Sequence, residues 1–120
     1  MALDGKQALS IAKNIRPDLI LLDAIMPNMD GFETCTQLKT LPGLSSVPVM
    51  FMTGLSDTES IVKGLSVGGV DYLTKPINPD ELVARMKVHL NNAATTENAY
   101  HVMDSLGHTA IMVDSQAEVL

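Results

Sequence analysis

Four apolar residues stand in a row before an aspartate in the run Leu19-Ile20-Leu21-Leu22-Asp23. A half-exposed strand alternates apolar and polar residues, whereas an unbroken apolar run indicates a strand that is buried on both faces. Such strands are typical of parallel sheets that have helices packed on each side. The sequence therefore predicts a buried strand at residues 19–22, with Asp23 at its carboxyl end.

The segments around this strand alternate between helix and strand patterns. Apolar residues recur at helical spacing before the strand, at 8–15, and after it, at 32–41. Two more apolar strands are predicted at 47–52 and 70–74, with a helix between them and another that begins at Asn78. This order predicts an α/β fold with a doubly wound parallel sheet, whose ligand site lies at the carboxyl ends of the strands.

The composition excludes several classes of protein. A chain of 120 residues with 46% apolar and 18% charged residues has the size and content of one folded domain. Its net charge of −6 argues against direct binding to nucleic acid, which requires a basic surface. Cys35 is the one cysteine, so no disulfide is predicted. No apolar run reaches membrane-spanning length, and we expect a cytoplasmic protein that does not bind a membrane.

Three polar residues lie where the predicted strands end, namely Asp23, Thr53 and Lys75. Because parallel strands end at the same edge of a sheet, we expect these side chains to converge. A carboxylate there suits a nucleophile that attacks a phosphoryl group, while a hydroxyl and an ammonium would bind the phosphoryl oxygens. Taken singly, each residue also has a structural interpretation, as a helix cap, a turn residue or a solvated charge.

Three segments resemble a known family. Residues 21–31, with Met26-Pro27 followed by Asp30-Gly31, resemble the phosphoacceptor segment of CheY-like response regulator receivers. Thr53-Gly54 and the run from Tyr72 to Pro76 resemble the two other signature segments of that family, in the same order. The resemblance covers roughly residues 4–90, and it implies a flavodoxin-like, CheY-like receiver fold.

The resemblance also implies roles for individual residues. Asp23 would accept a phosphoryl group from a sensor histidine kinase or a phosphotransfer protein, with Thr53 and Lys75 as the other catalytic residues. Thr53 and Tyr72 would form the switch that changes a protein-interaction face and so controls an output domain or a partner. Asp23 and the backbone carbonyl of Ile25 would hold Mg²⁺. A module of this kind is not an enzyme beyond its own phosphorylation and dephosphorylation.

The sequence departs from the family at its amino end. Receivers of this type begin with a strand that ends in two acidic residues, and no such strand follows Met1. We therefore expect an N-terminally truncated receiver that binds Mg²⁺ weakly or not at all, because Mg²⁺ is usually held by one or two carboxylates. The open sheet edge would be filled by a second copy, as a homodimer or strand-exchanged assembly. Alternatively, residues 110–114 would fill it after a right-handed crossover, with Asp114 replacing a lost acid.

Two organisational questions stay open in the sequence. A polar stretch after Leu90 divides the chain into a receiver at 1–92 and a region at 93–120 with a helix and a strand, which is a linker or the start of an output module. The second open question is the function. Instead of accepting a phosphoryl group, the chain could serve as a receiver-like interaction scaffold that is never phosphorylated, because the acidic pair is missing. A phosphatase of the haloacid dehalogenase type is disfavoured, since it needs an aspartate where Ile25 stands. Asp71 is predicted to be a solvated or capping residue, and His89 to lie on a solvated helix face or in a loop.

Overall fold

The computed structural model describes residues 5–24, 30–54, 58–90, 100–105, 110–116 and 118–120. Within these ranges four strands alternate with helices in the predicted order. The elements are α1 (Gly5–Ile15), β1 (Leu19–Asp23), α2 (Gly31–Leu38), β2 (Val49–Thr53), α3 (Thr58–Ser66), β3 (Asp71–Thr74), α4 (Pro79–Leu90), a 3-10 helix (Val102–Ser105) and β4 (Ala110–Val113).

The strands form one sheet in the order β3-β2-β1-β4, in which β1, β2 and β3 are parallel. Alternate residues of β1 reach opposite faces of this sheet. Ile20 and Leu22 pack in a core layer with residues of α1 and α2, whereas Leu19 and Leu21 pack in a second layer with residues of α4. A strand buried on both faces was predicted from its unbroken apolar run, and the doubly wound arrangement is confirmed.

Two polar side chains fix where the second and fourth helices begin. The Asp30 carboxylate accepts a hydrogen bond from the backbone N–H of Glu33 at 2.7 Å, directly before α2. The Asn78 side chain accepts from the N–H groups of Asp80 and Glu81 at 2.9 and 3.2 Å, directly before α4. These contacts satisfy N–H groups that have no partner within the helix, so the caps stabilise the first turns of α2 and α4.

The fourth strand departs from the prediction of a purely parallel sheet. β4 lies beside β1 and runs antiparallel to it, with Leu19 paired to Val113 and Leu22 paired to Ala110. All four residues of β4 are buried, so the strand completes both core layers. The edge of β1 that the sequence left open is thus covered by the same chain, but the predicted right-handed crossover is wrong, since that connection joins parallel strands.

The direction of β4 also overturns the role predicted for Asp114. In an antiparallel pair the carboxyl end of β4 meets the amino end of β1, so Asp114 follows the residue that pairs with Leu19. Asp114 is therefore level with Asp18, five residues before Asp23, and at about 3.3 Å per residue it lies on the order of 17 Å along the sheet from Asp23. The Asp114 carboxylate instead accepts hydrogen bonds from the N–H groups of Gln116 and Glu118, in the turn of a hairpin that pairs Val113 with Val119.

Candidate phosphoacceptor site

An ion pair joins the ends of two strands that are not adjacent. Asp23 is the last residue of β1 and Lys75 directly follows β3, and the Lys75 Nζ atom donates to Asp23 Oδ2 at 2.8 Å. The Asp23 side chain is 14% exposed and that of Lys75 39% exposed. Parallel strands that share an edge place their carboxyl ends together, as the sequence predicted. The result is a carboxylate held at the sheet edge with an ammonium against one oxygen.

Thr53 ends β2, the strand between β1 and β3. In the sheet register Asp23 pairs with Met52 and Thr53 pairs with Thr74, so the Thr53 backbone lies between the two partners of the ion pair. The Thr53 side chain lies outside the described part of the structure, as does all of Ile25. The backbone therefore puts Thr53 at the predicted edge, and the role of its hydroxyl stays a prediction, as does the role of the Ile25 carbonyl.

Close packing behind Asp23 depends on a glycine. The Gly31 N–H donates to the carbonyl oxygen of Ala24 at 2.9 Å, which brings the start of α2 against the end of β1. A Cβ atom at Gly31 would lie 2.1 Å from the carbonyl oxygen of Asp23, closer than any side-chain carbon can approach. The missing side chain of Gly31 therefore lets α2 begin directly against the Asp23 backbone.

Tyr72 is the last of three aromatic rings that contact one another in a row, and it also contacts α3. It belongs to β3 and is half-buried, with its ring centroid 6.2 Å from that of Phe51. The Phe51 ring in turn lies 5.3 Å from that of Phe32, the second residue of α2. The Tyr72 ring also packs against Gly64 of α3, which lies close to the Phe51 ring as well. The ring predicted to take part in the switch is therefore in contact with the core on one side of the sheet.

A charged cluster beside Tyr72 was not predicted from the sequence. One Asp71 oxygen accepts from Arg85 Nη1 at 2.8 Å and from the Tyr72 N–H at 2.9 Å, and the other lies 3.2 Å from His89 Nε2. Burial by itself raises the pKa of Asp71, but these hydrogen bonds and the Arg85 charge outweigh it and lower the pKa. Asp71 and His89 are thus paired and mostly shielded, not solvated.

Cys35 behaves as the sequence suggested. It is fully buried in α2, and its thiol lies 3.6 Å from the carbonyl oxygen of Val67. Burial raises the pKa of this thiol, and the positive charge of Lys39 offsets only part of the effect. The thiol therefore stays protonated near neutral pH and serves as core packing.

The described residues offer a poor donor set for a divalent cation. They contain no group of three His, Cys, Asp or Glu side chains that could share a metal ion. Of the residues that end the three parallel strands, Asp23, Thr53 and Thr74, only Asp23 is a carboxylate. Mg²⁺ prefers six oxygen ligands and is usually held by one or two carboxylates together with phosphate and water. The part of the chain that the structure describes does not by itself supply such a site.

Known proteins that are similar to this chain indicate its family. A family model described as "Response regulator receiver domain" matches residues 1–87. The chain belongs to the response regulator receiver family. It is therefore a receiver domain of the two-component signalling type, which is a signalling family and not a conventional enzyme family.

Individual relatives give the same result. The chain is 44% identical over 87 residues to the DNA-binding response regulator MtrA of Mycobacterium tuberculosis strain H37Rv, a match that covers 72% of this chain and 37% of MtrA. A putative response regulator from Chloroflexus aurantiacus has 32% identity and a TM-score of 0.72, with 76% of this chain and 75% of that chain covered. The chain thus spans little more than a third of the length of its curated relatives.

A third relative concerns the metal. The chain is also similar to the receiver domain of sensor histidine kinase PA1611 from Pseudomonas aeruginosa, with 27% identity and a TM-score of 0.70. The match covers 76% of this chain and 75% of that chain. That receiver domain is described with a magnesium ion coordinated in its active site cleft. Mg²⁺ binding is thus recorded for a receiver domain that is similar to this chain. None of the helices in the described part of the present chain is both long and apolar enough to cross a membrane.

Proposed function

We propose that Asp23 accepts a phosphoryl group and thereby switches a protein-interaction face of this receiver. The observation that supports this most directly is the 2.8 Å ion pair between Lys75 and Asp23, formed by residues 52 positions apart. A carboxylate at the end of a buried strand is held in a fixed position, which suits a nucleophile. Lys75 is exposed enough to follow the negative charge when it moves from the carboxylate to a phosphoryl group.

In the proposed reaction, an Asp23 carboxylate oxygen attacks the phosphorus of a phosphohistidine on a sensor kinase or a phosphotransfer protein. The new P–O bond forms as the P–N bond breaks, and the imidazole leaves and takes up a proton. Lys75 then pairs with a phosphoryl oxygen, and Thr53 donates its hydroxyl hydrogen to another. Hydrolysis reverses the modification, because attack of water on the phosphorus releases inorganic phosphate and restores the carboxylate.

We propose that Thr53 and Tyr72 transmit this change. If Thr53 moves toward the phosphoryl group, the space it leaves becomes available to the Tyr72 ring on the neighbouring strand. Such a change would alter the face formed by α3, β3 and α4, where Val62, Leu65 and Val88 are exposed. The face would control an output domain or a partner protein through a shift in population.

Phosphoryl uptake from acetyl phosphate tests this function. The chain is incubated with and without Mg²⁺, and intact mass measures the gain of one phosphoryl group. We expect uptake in the wild type and none in Asp23→Asn. Asp104→Asn is the matched control, because Asp104 is an exposed aspartate on the 3-10 helix and should leave uptake unchanged. Equal labelling of wild type and Asp23→Asn would show that Asp23 is not the acceptor.

A scaffold that is never phosphorylated is the second candidate. The observation that favours it is the single carboxylate among the residues that end the parallel strands, since a cation held only by Asp23 would bind weakly. For this candidate, acetyl phosphate with Mg²⁺ leaves the mass of the folded chain unchanged at every Mg²⁺ concentration. Uptake that rises with Mg²⁺ would instead mean that the cation binds with help from the phosphoryl group.

We further propose the cytoplasm as the site of action, with a receiver at residues 1–92 and a C-terminal region at 93–120 that joins it to an output module. The homodimer or strand-exchanged assembly expected from the sequence stays part of this proposal. Because β4 covers the edge of β1, an exchanged dimer would place β4 of one copy beside β1 of the other. Sedimentation velocity over a range of concentrations distinguishes that dimer from a monomer.

A further inference from the structure

The middle of α3 contains a glycine at the point where the helix approaches Tyr72. Gly64 is buried and lies inside α3, where it is not among the glycines with positive φ. A glycine in a helix interior lowers the folding equilibrium constant by roughly four- to fivefold relative to alanine. Since backbone conformation does not require glycine at this position, its reason must lie in what the missing side chain allows.

Contacts at Gly64 identify that reason. A Cβ atom there would lie 3.0 Å from Cδ2 and 3.2 Å from Cε2 of Tyr72, and 3.2 Å from Cδ2 of Phe51. All three distances are shorter than the ordinary spacing of packed carbon atoms, which is about 3.5 Å or more. One of the two rings would have to move if residue 64 carried a methyl group.

Phe51 cannot be the ring that moves. It is fully buried, and it packs against the Phe32 ring on one side and against Gly69 on another, where a Cβ would lie only 2.7 Å from Phe51 Cε2. Tyr72 is only half-buried, so its surroundings restrain it less than those of Phe51. A methyl group at position 64 would therefore displace the Tyr72 ring away from α3.

We infer that Gly64 is a positioning residue for Tyr72, which lets the ring pack against α3 and so sets the balance between its packed and displaced orientations. The importance of this balance rests on the proposed function, in which Tyr72 transmits the state of Asp23. A methyl group at residue 64 would bias the balance without touching the phosphoacceptor, because a change that disfavours one of two orientations shifts their populations.

Fluorine NMR measures the position of the ring directly. Tyr72 and Tyr100 are the two tyrosines of the chain, so 3-fluorotyrosine in a Tyr100→Phe background reports on Tyr72 alone. We expect Gly64→Ala to move the resonance toward that of free fluorotyrosine by more than its linewidth. Ser66→Ala, an exposed position of the same helix, is the control and should leave the resonance in place. An unmoved resonance in folded Gly64→Ala would overturn the inference.

A double-mutant cycle separates contact with Tyr72 from every other effect of the methyl group. Gly64→Ala is made in the wild type and in Tyr72→Ala, and unfolding in urea gives the folding equilibrium constants. Helix propensity and the contact with Phe51 are common to both backgrounds and cancel. We expect the change on Gly64→Ala to be at least about twofold more favourable in Tyr72→Ala, because the contact with the ring is then absent and residues in contact couple by at least this much. Equal changes in both backgrounds would overturn the inference.

Two further outcomes are decisive if the single variant does not fold. Folding of Gly64→Ala only when Tyr72 is also replaced supports the inference, whereas failure in both backgrounds overturns it. The ring measurement needs no phosphoryl donor. A displaced ring in a chain that takes up no phosphoryl group therefore refutes the proposed function alone. Phosphoryl uptake with an unmoved ring refutes the role of Gly64 alone.

Discussion

Replacing Gly31 with alanine tests how closely α2 approaches the end of β1. The added Cβ would lie 2.1 Å from the carbonyl oxygen of Asp23 and 2.6 Å from Cα of Ala24. Both are backbone atoms, so no change of side-chain rotamer relieves the overlap. Because packed heavy atoms stay about 3.5 Å apart, the start of α2 and the end of β1 must separate by roughly 1 Å.

The cost of this separation has two parts. Forcing an extra carbon into a well-packed site costs about 1–3 kcal/mol. The separation also lengthens the 2.9 Å hydrogen bond from the Gly31 N–H to the Ala24 carbonyl. A hydrogen bond of this kind contributes about 1 kcal/mol net. We therefore expect Gly31→Ala to lower the free energy of unfolding by about 2–4 kcal/mol.

Urea unfolding followed by circular dichroism measures this loss. Gly54→Ala is the matched control for stability, because in the described part of the chain no heavy atom beyond its two sequence neighbours lies within 4 Å of a Cβ built at Gly54. An exposed substitution of this kind should change the free energy of unfolding by no more than about 0.5 kcal/mol. If Gly31→Ala is as stable as Gly54→Ala, α2 does not approach Asp23 as closely as described, and the reasoning fails.

Contacts elsewhere in the fold give three shorter predictions. The lowered pKa of Asp71 means that its carboxylate stabilises the fold above the unfolded pKa of about 4 and loses this effect as pH falls through the folded-state pKa. The stability difference between wild type and Asp71→Asn in urea should therefore shrink from neutral pH toward about pH 3. Ile111→Ala should cost about 2–5 kcal/mol in the same assay, and Ser115→Ala in the exposed turn no more than about 0.5 kcal/mol; equal costs would mean that β4 is not part of the core. Asp30→Ala should cost about 1 kcal/mol in thermal unfolding through loss of the α2 cap, and no loss would refute that cap.

The contact between Asp23 and Lys75 could be predicted because local patterns in the sequence determine it. An unbroken apolar run specifies a strand buried on both faces, and the alternation of Ile20 and Leu21 between two core layers is the direct result. Once neighbouring strands are parallel, residues that follow them must meet at one edge, which brings Lys75 to Asp23. Neither inference needs information about distant packing, so both could be made before the structure was known.

The cluster around Asp71 could not be predicted in this way. Asp71 begins β3, while Arg85 and His89 lie one turn apart on α4, 14 and 18 residues further along the chain. Their helical spacing shows that Arg85 and His89 share a face, but not which residue that face meets. That depends on how α4 packs across the sheet, which is a property of the whole core. Taken singly, a charged residue in such a position is usually solvated.

β4 covers the open edge of β1, but because of its direction it brings no further residue to Asp23. A short apolar run such as Ala110–Val113 has no feature that specifies whether it pairs in parallel or antiparallel. Both directions form a hydrogen-bonded ladder and bury the same side chains, so either would cover β1. Only a parallel strand, however, would bring the acid that follows it to Asp23. Because β4 is antiparallel, Asp114 closes a hairpin at the opposite end of the sheet, and β4 covers β1 without bringing a second carboxylate to Asp23.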